Sequence, residues 1–323
     1  MFWFLLNIIG VQSLRNIGWY DGIHPPLKNF PWNLYTHIRY GAPIITPNGT
    51  ALCNHTQMDH IVQLAHQKNV LVLWADNCNH SHVRFDQTPE TYWNSIGSAV
   101  HECDIDGITV DYEQTGPLGI VTPKQSTEYS IWLSTLRKAI QKPVGADISL
   151  PGIAPGNWVL GWLPWVNVSM VNNGDFDWIS SMSYHWAENG EIWAWEKDVW
   201  VLTQLWKIQP EKINLGLPLF SKRWNNITLI EEPTWASLSS KCPNIAYTKT
   251  SCDDVLIVSK QMAFQLGSLV AKHHLGGFFP WEASYDSYEW NNSIVPYLWS
   301  GFNASKASAA KQSSRVSINK RPS

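Results

Sequence analysis

Short runs rich in β-branched and aromatic residues recur along the chain at positions 16–20, 36–45, 70–74, 107–111, 144–149, 178–184, 212–218 and 276–279. Most of the gaps hold segments whose apolar residues return every third or fourth position: 58–68, 91–101, 127–140, 193–206 and 255–273. The first pattern predicts strands and the second predicts amphipathic helices. Strand starts lie 20, 34, 37, 37, 34, 34 and 64 residues apart. Alternation of strand and helix, repeated eight times, predicts an α/β fold: one (β/α)8 TIM barrel over residues 14–303, its strands parallel and joined through helices. The long last gap predicts an insertion, residues 221–253, between strands 7 and 8. After Asn303 the chain reads ASKASAAKQSSRVSINKRPS, which is small, polar and basic. That composition cannot bury enough apolar surface to order itself, so residues 304–323 are expected to form a disordered tail.

The first ten residues, MFWFLLNIIG, are apolar and lead into Val11-Gln12-Ser13. A short apolar run before a small residue predicts a signal peptide over residues 1–13. It is too short to span a bilayer, and no later stretch reaches 18 apolar residues. Seven Asn-x-Ser/Thr sequons, at Asn48, Asn54, Asn79, Asn167, Asn226, Asn291 and Asn303, fit the secretory route, so the protein is expected to be a secreted or lysosomal glycoprotein. The five cysteines lack the paired CxxC spacing of a zinc site, which points to disulfides. Cys242 and Cys252 close a short loop and are the first expected pair. Cys53–Cys78 is the second, leaving Cys103 as a buried free thiol. His80 and His82 stand on a loop with no third ligand in view, so no metal is expected.

Composition adds less. A net charge of -3 gives no electrostatic reason to expect nucleic acid or an anionic membrane as partner. The 20 Trp and 11 Tyr belong mostly to the core, yet flat amphipathic rings also suit a cleft that stacks on sugars. No phosphate-binding loop, dinucleotide fingerprint or nucleophile elbow occurs, and no cofactor is implied.

The predicted fourth strand carries the unusual chemistry. Residues 104–114 read DIDGITVDYEQ, which sets Asp106, Asp111 and Glu113 among residues that line a buried strand. An unpaired carboxylate in an apolar interior costs several kcal/mol or takes up a proton. Strand alternation puts Thr109, Asp111 and Glu113 on one face, which in a barrel looks inward. Glu113 comes last, at the C-terminal mouth where barrel enzymes place their chemistry, while Asp106 lies at the other end and out of phase. Two inward carboxylates two residues apart raise each other's pKa, so the more enclosed one can keep its proton and act as an acid.

These residues resemble the DxxDxDxE catalytic strand of family 18 glycoside hydrolases, the chitinase-like barrels. Asp106, Asp111 and Glu113 match it; Thr109 departs, standing where the family commonly has Asp and its lysosomal di-N-acetylchitobiase branch has Asn. ISSMSYHW is similar to the sixth-strand MxYD box through Met182 and Tyr184, INLGLPLF to the seventh-strand GxP segment through Gly216 and Pro218, and GGFFPWEASYD to an eighth strand ending in tryptophan, here Trp281. The chitobiase branch is the nearest in wording.

The resemblance implies a hydrolase that retains configuration and cleaves β-linked N-acetylglucosamine units of chitooligosaccharides or of the N-glycan core. Glu113 would protonate the glycosidic oxygen and later activate water. Asp111 would orient and charge-stabilise the substrate's own acetamido group, which attacks in place of an enzyme nucleophile. Tyr184 would hydrogen-bond the acetamido oxygen and Trp281 would form the floor beneath the sugar. Met182 would pack beside them, and Asp106 and Thr109 would support the site. His185 stands where the family usually has Asp, and that departure keeps open a catalytically weak chitin- or glycan-binding lectin on the same barrel. An endo-acting enzyme on N-glycans is a third possibility. The expected partner is an N-acetylglucosamine oligosaccharide bound by a monomer.

Overall fold

The computed structural model describes residues 14–76, 79–80, 83–112, 122–148, 166–184, 192–221, 223–225, 228–231, 233–242, 247–248, 251–252, 255–287 and 292–318. Eight parallel strands close into a barrel: β1 (Arg15–Trp19), β2 (His37–Arg39), β3 (Leu71–Asp76), β4 (Gly107–Asp111), β5 (Val144–Ile148), β6 (Trp178–Ser181), β7 (Ile213–Pro218) and β8 (Gly277–Trp281). Each strand pairs with its neighbour in sequence, and β1 also pairs with β8, so no sheet edge is left open. The (β/α)8 architecture expected from strand spacing is the one found.

Helices α1 (His55–Gln67), α2 (Glu90–Glu102), α3 (Pro123–Ile140), α4 (Val168–Asn173), α5 (Trp193–Trp200), α6 (Trp235–Lys241), α7 (Lys260–Lys272) and α8 (Val295–Ile318) surround the barrel. Outward strand residues such as Ile38, Ile108, Val110, Val144 and Ala146 join the helices in the main apolar core. Inward ones form a second, smaller cluster of Ile17, Leu73, Trp178, Met182 and Phe279 inside the barrel. Trp178 fits there because its neighbour in register is Gly145, where a Cβ would lie 2.1 Å from the indole nitrogen. Below this cluster Arg15 donates to Asn214 Oδ1 at 2.9 Å and lies 5.3 Å from the Trp178 ring. Burial, helped by Arg15, pushes the His37 imidazole down to about 3.

Three expectations change in the described residues. Cys53 pairs with Cys103 across 50 residues, so Cys103 is no free thiol, and Cys78 lies outside the described residues. Cys53 follows the short strand Ala51–Leu52, which packs against α2, and Cys103 follows the end of α2, a proximity that the linear spacing hides. Cys242–Cys252 forms as expected. Residues 304–318 continue α8 instead of forming an irregular tail. That segment is rich in Ala, Lys and Ser, and Ala and Lys propagate a helix once a packed first half has nucleated it. The packed half meets α7 so closely that a Cβ on Gly301 would lie 1.8 Å from the Phe264 carbonyl. Finally, the predicted helix 255–273 begins only at Lys260, because Val255–Leu256 pairs with Ser251–Cys252 in a hairpin.

The insertion after β7 holds a hairpin (Arg223–Asn225 with Thr228–Glu231), α6 and that second hairpin. Residues 1–13, the expected signal peptide, lie outside the described residues. Among the sequons, Asn48 and Asn303 are exposed, whereas the Asn54 and Asn167 side chains cap the N-termini of α1 and α4. No helix of the described residues is long and apolar enough to cross a membrane.

Candidate active site

Alternation along the parallel strands sends Trp19, Arg39, Asp111, Asp147, Tyr184 and Trp281 toward the barrel axis at its C-terminal mouth. Register places Trp19 beside Arg39 and Asp111 beside Asp147. Arg39 is 1% exposed, and its guanidinium reaches across the interior from β2. One arm meets Asp111 Oδ2 at 3.5 Å and the other meets Asp147 Oδ2 directly. The guanidinium carbon sits 4.0 Å from the centre of the Trp19 ring, a cation–π contact.

Trp19 in turn tilts against Trp281 at 4.5 Å between ring centres, and Trp281 lies 6.3 Å from Tyr184. Tyr184 is braced by Phe220 at 6.0 Å and Phe279 at 6.2 Å. An unbroken line of contacts therefore runs from Tyr184 through Trp281, Trp19 and Arg39 to Asp111 and Asp147. Met182 lies beneath it, buried in the inner apolar cluster with Tyr184 and Trp281 packed on top.

The electrostatics follow from burial. Asp147 is fully enclosed, and its pKa is raised to about 7, by desolvation first and by the Asp111 charge; Arg39 and the Ser180 hydroxyl pull it down. Arg39 and Asp147 are buried, while Asp111 keeps 12% of its side chain exposed at the mouth. Asp111 Oδ1 and the Thr109 hydroxyl are buried and unpaired among the described residues. Buried acceptors without partners are uncommon in folded proteins and mark places where a ligand or neighbour supplies the donor. Beside Trp281, Glu282 has its pKa raised to about 7 by burial and then by Asp21, with Ser284 opposing.

Of the residues singled out from sequence, Thr109, Asp111, Tyr184, Trp281 and Met182 come together at or just below the mouth. Asp106 stands at the opposite end of β4, where its carboxylate accepts from Val72 N at 2.8 Å and meets His66 Nε2 at 2.8 Å. Its contacts tie β4 to β3 and α1. Glu113 and His185 lie outside the described residues, as does His82. Sequence reasoning passed over Trp19, Arg39 and Asp147. The signal was there: Arg39 and Asp147 are charged residues at inward parity within apolar strands, and Trp19 is the last inward residue of β1. Cys53, His55 and Asp59 bring ligand-type atoms close together, but the Cys53 sulfur belongs to a disulfide and offers no thiolate.

Residues 15–311 match the family model described as glycosyl hydrolases family 18. No curated protein matches the sequence closely enough to count as a relative. Among solved structures, a chitinase from Bacteroides thetaiotaomicron is similar with a TM-score of 0.69 and 16% identity, covering 88% of this chain and 96% of that one. A plant class V chitinase mutant from Cycas revoluta, in complex with (GlcNAc)3, gives 0.68 and 15%, with 89% and 99% covered. A chitinase-like agglutinin from Robinia pseudoacacia gives 0.64 and 13%, with 88% and 98% covered.

Proposed function

The chain belongs to glycosyl hydrolases family 18, and from that premise we propose that it is a retaining glycosidase for β-linked N-acetylglucosamine units, working through the substrate's own acetamido group. The observation that carries this proposal is the line of contacts joining Asp111, Trp281 and Tyr184, because acetamido participation needs a charge, a floor and a hydrogen-bond donor around one sugar.

In the proposed reaction the sugar at the cleavage point rests on Trp281, whose ring is held at a fixed tilt by Trp19. The Asp111 carboxylate accepts the acetamido N–H, turning the amide so that its oxygen faces the anomeric carbon. As that oxygen attacks, positive charge spreads over the forming ring, and the fixed negative charge of Asp111 stabilises it in a site that needs no solvent reorganisation. The Tyr184 hydroxyl donates to the acetamido oxygen and Glu113 gives its proton to the leaving oxygen. Glu113 then takes a proton from the water that opens the intermediate, so configuration is retained after two displacements.

The N-acetylglucosamine oligomer is the proposed partner, the lysosomal di-N-acetylchitobiase branch the proposed subgroup, and a secreted or lysosomal site the proposed location. Two disulfides support an oxidising compartment. A second reading, a glycan-binding lectin, is favoured by the similarity to the Robinia agglutinin and by Thr109 in place of a carboxylate. One experiment separates the two: wild type and Glu113→Gln are incubated with short N-acetylglucosamine oligomers while products and binding are followed. Turnover that falls by at least about 100-fold in the variant, with binding kept, supports the enzyme. Equal product formation by both proteins rules out Glu113 as the acid, and binding without turnover in wild type supports the lectin.

A further inference from the structure

A guanidinium enclosed in a barrel interior is expensive unless its charge and its donors are used. Arg39 uses its charge and both arms, which meet carboxylates from two adjacent strands, Asp111 on β4 and Asp147 on β5, direct partners in register; its Nε has no partner among the described residues. Its flat face is pinned under Trp19, so the fork cannot rotate away. The position two residues before Asp111 on the same strand face is Thr109, a neutral and buried side chain. Among the described residues of β4, then, none inside the barrel fixes the angle of Asp111. Two other strands do.

We propose that Arg39 and Asp147 are positioning residues for the reaction: Arg39 orients the Asp111 carboxylate, and Asp147 holds Arg39 in place from the opposite side. The inference rests on the proposed role of Asp111 as the electrostatic partner of the acetamido group. Arg39 points one oxygen of Asp111 inward and leaves Oδ1 unpaired for the substrate. Asp147 faces Arg39 from β2, Asp111 from β4 and the Ser180 hydroxyl from β6. Because a lysine cannot bridge two carboxylates as a planar fork, arginine at this position has a geometric reason beyond charge.

A double-mutant cycle on kcat and KM tests the proposal, with N-acetylglucosamine oligomers as substrate and thermal unfolding as the folding control. Arg39→Met is expected to lower kcat by at least about 30-fold with KM changed less than about threefold, since the lost interaction acts in the transition state. Arg39→Lys recovers part of the loss. The double variant Arg39→Met/Asp111→Asn is no slower than Asp111→Asn alone, because Arg39 acts through Asp111. Losses that multiply, or wild-type kcat in Arg39→Met, overturn the proposal. If Arg39→Met does not fold, Asp147→Asn serves in its place, with a loss of about 5- to 10-fold in kcat and the same non-additivity expected; independent losses again overturn it. Glu113→Gln run in parallel separates the two failures. An active Glu113→Gln, or an inactive wild type, defeats the proposed function and this inference with it, whereas an inactive Glu113→Gln beside a fully active Arg39→Met defeats the inference alone.

Discussion

Neutralising Asp111 should cost the reaction nearly everything and the fold almost nothing. In the folded protein its carboxylate feels two opposing charges. Attraction to Arg39 at 3.5 Å amounts to about 5 kcal/mol at an effective dielectric of 20. Repulsion from Asp147, its register partner on a strand about 5 Å away, amounts to roughly 3 kcal/mol on the same scale. The remainder, about 2 kcal/mol in favour, is set against a desolvation cost of several kcal/mol for a carboxylate taken out of water. Asp111→Asn leaves Arg39 paired one-to-one with Asp147 and removes the excess negative charge. We therefore expect the variant to unfold within about 4 °C of wild type or above it, taking roughly 2 °C per kcal/mol for a domain of this size, while kcat falls at least about 100-fold. Differential scanning calorimetry and an oligomer cleavage assay on the same preparation check both halves. A drop in Tm of more than about 8 °C would mean that Asp111 is a net stabiliser of the barrel, and the division between fold and function drawn here would be wrong.

Further outcomes follow from other parts of the molecule. Trp281→Ala should fold, since the ring is only partly buried at the mouth, but should raise KM by about 10- to 100-fold as the sugar loses its stacking surface; an unchanged KM contradicts the platform role. The His37 pKa, lowered to about 3, means that the unfolded chain binds the extra proton between pH 3 and 6.5, so its stability contribution is complete above 6.5 and lost as pH falls toward 3. His37→Gln should accordingly show a shallower fall in Tm from pH 6.5 to 4, and an identical slope counts against this. Glu282 carries the opposite sign: raised to about 7, it binds a proton in the folded state first, so its contribution is complete below about 4.5 and lost as pH rises through 7. Glu282→Gln should flatten the decline in Tm between pH 5 and 7.5. Replacing Cys53 and Cys103 by serine opens a loop of 50 residues and should cost about 4 kcal/mol, more than the same change at Cys242 and Cys252, whose loop spans 10; comparable losses in denaturant unfolding would contradict the loop-length account.

The barrel was readable in the sequence because its strands are continuous apolar runs buried on both faces, and β4 and β7 fall within a residue of their expected limits. Asp111 was readable from its inward parity at the end of β4, whereas Tyr184 and Trp281 were singled out by the resemblance of their segments to family 18. Arg39 and Asp147 show what a single strand hides. Each looks like an isolated charge within an apolar run, and the reason for it appears only when the closed barrel brings β2, β4 and β5 around one axis. The disulfide of Cys53 depended in the same way on tertiary packing, which lays the strand Ala51–Leu52 against α2. The length of α8 was missed because a polar tail and a polar helix have the same composition, and the choice between them is made by the glycine-mediated contact with α7 upstream.

The central claim that the reaction retains configuration, as attack by the substrate's acetamido group beside Asp111 requires, is tested most directly by the anomeric form of the first product. Proton NMR during the first turnovers of a chitooligosaccharide should show the new reducing end as the β anomer, relaxing to the equilibrium mixture only afterwards. Initial release of the α anomer would contradict the account.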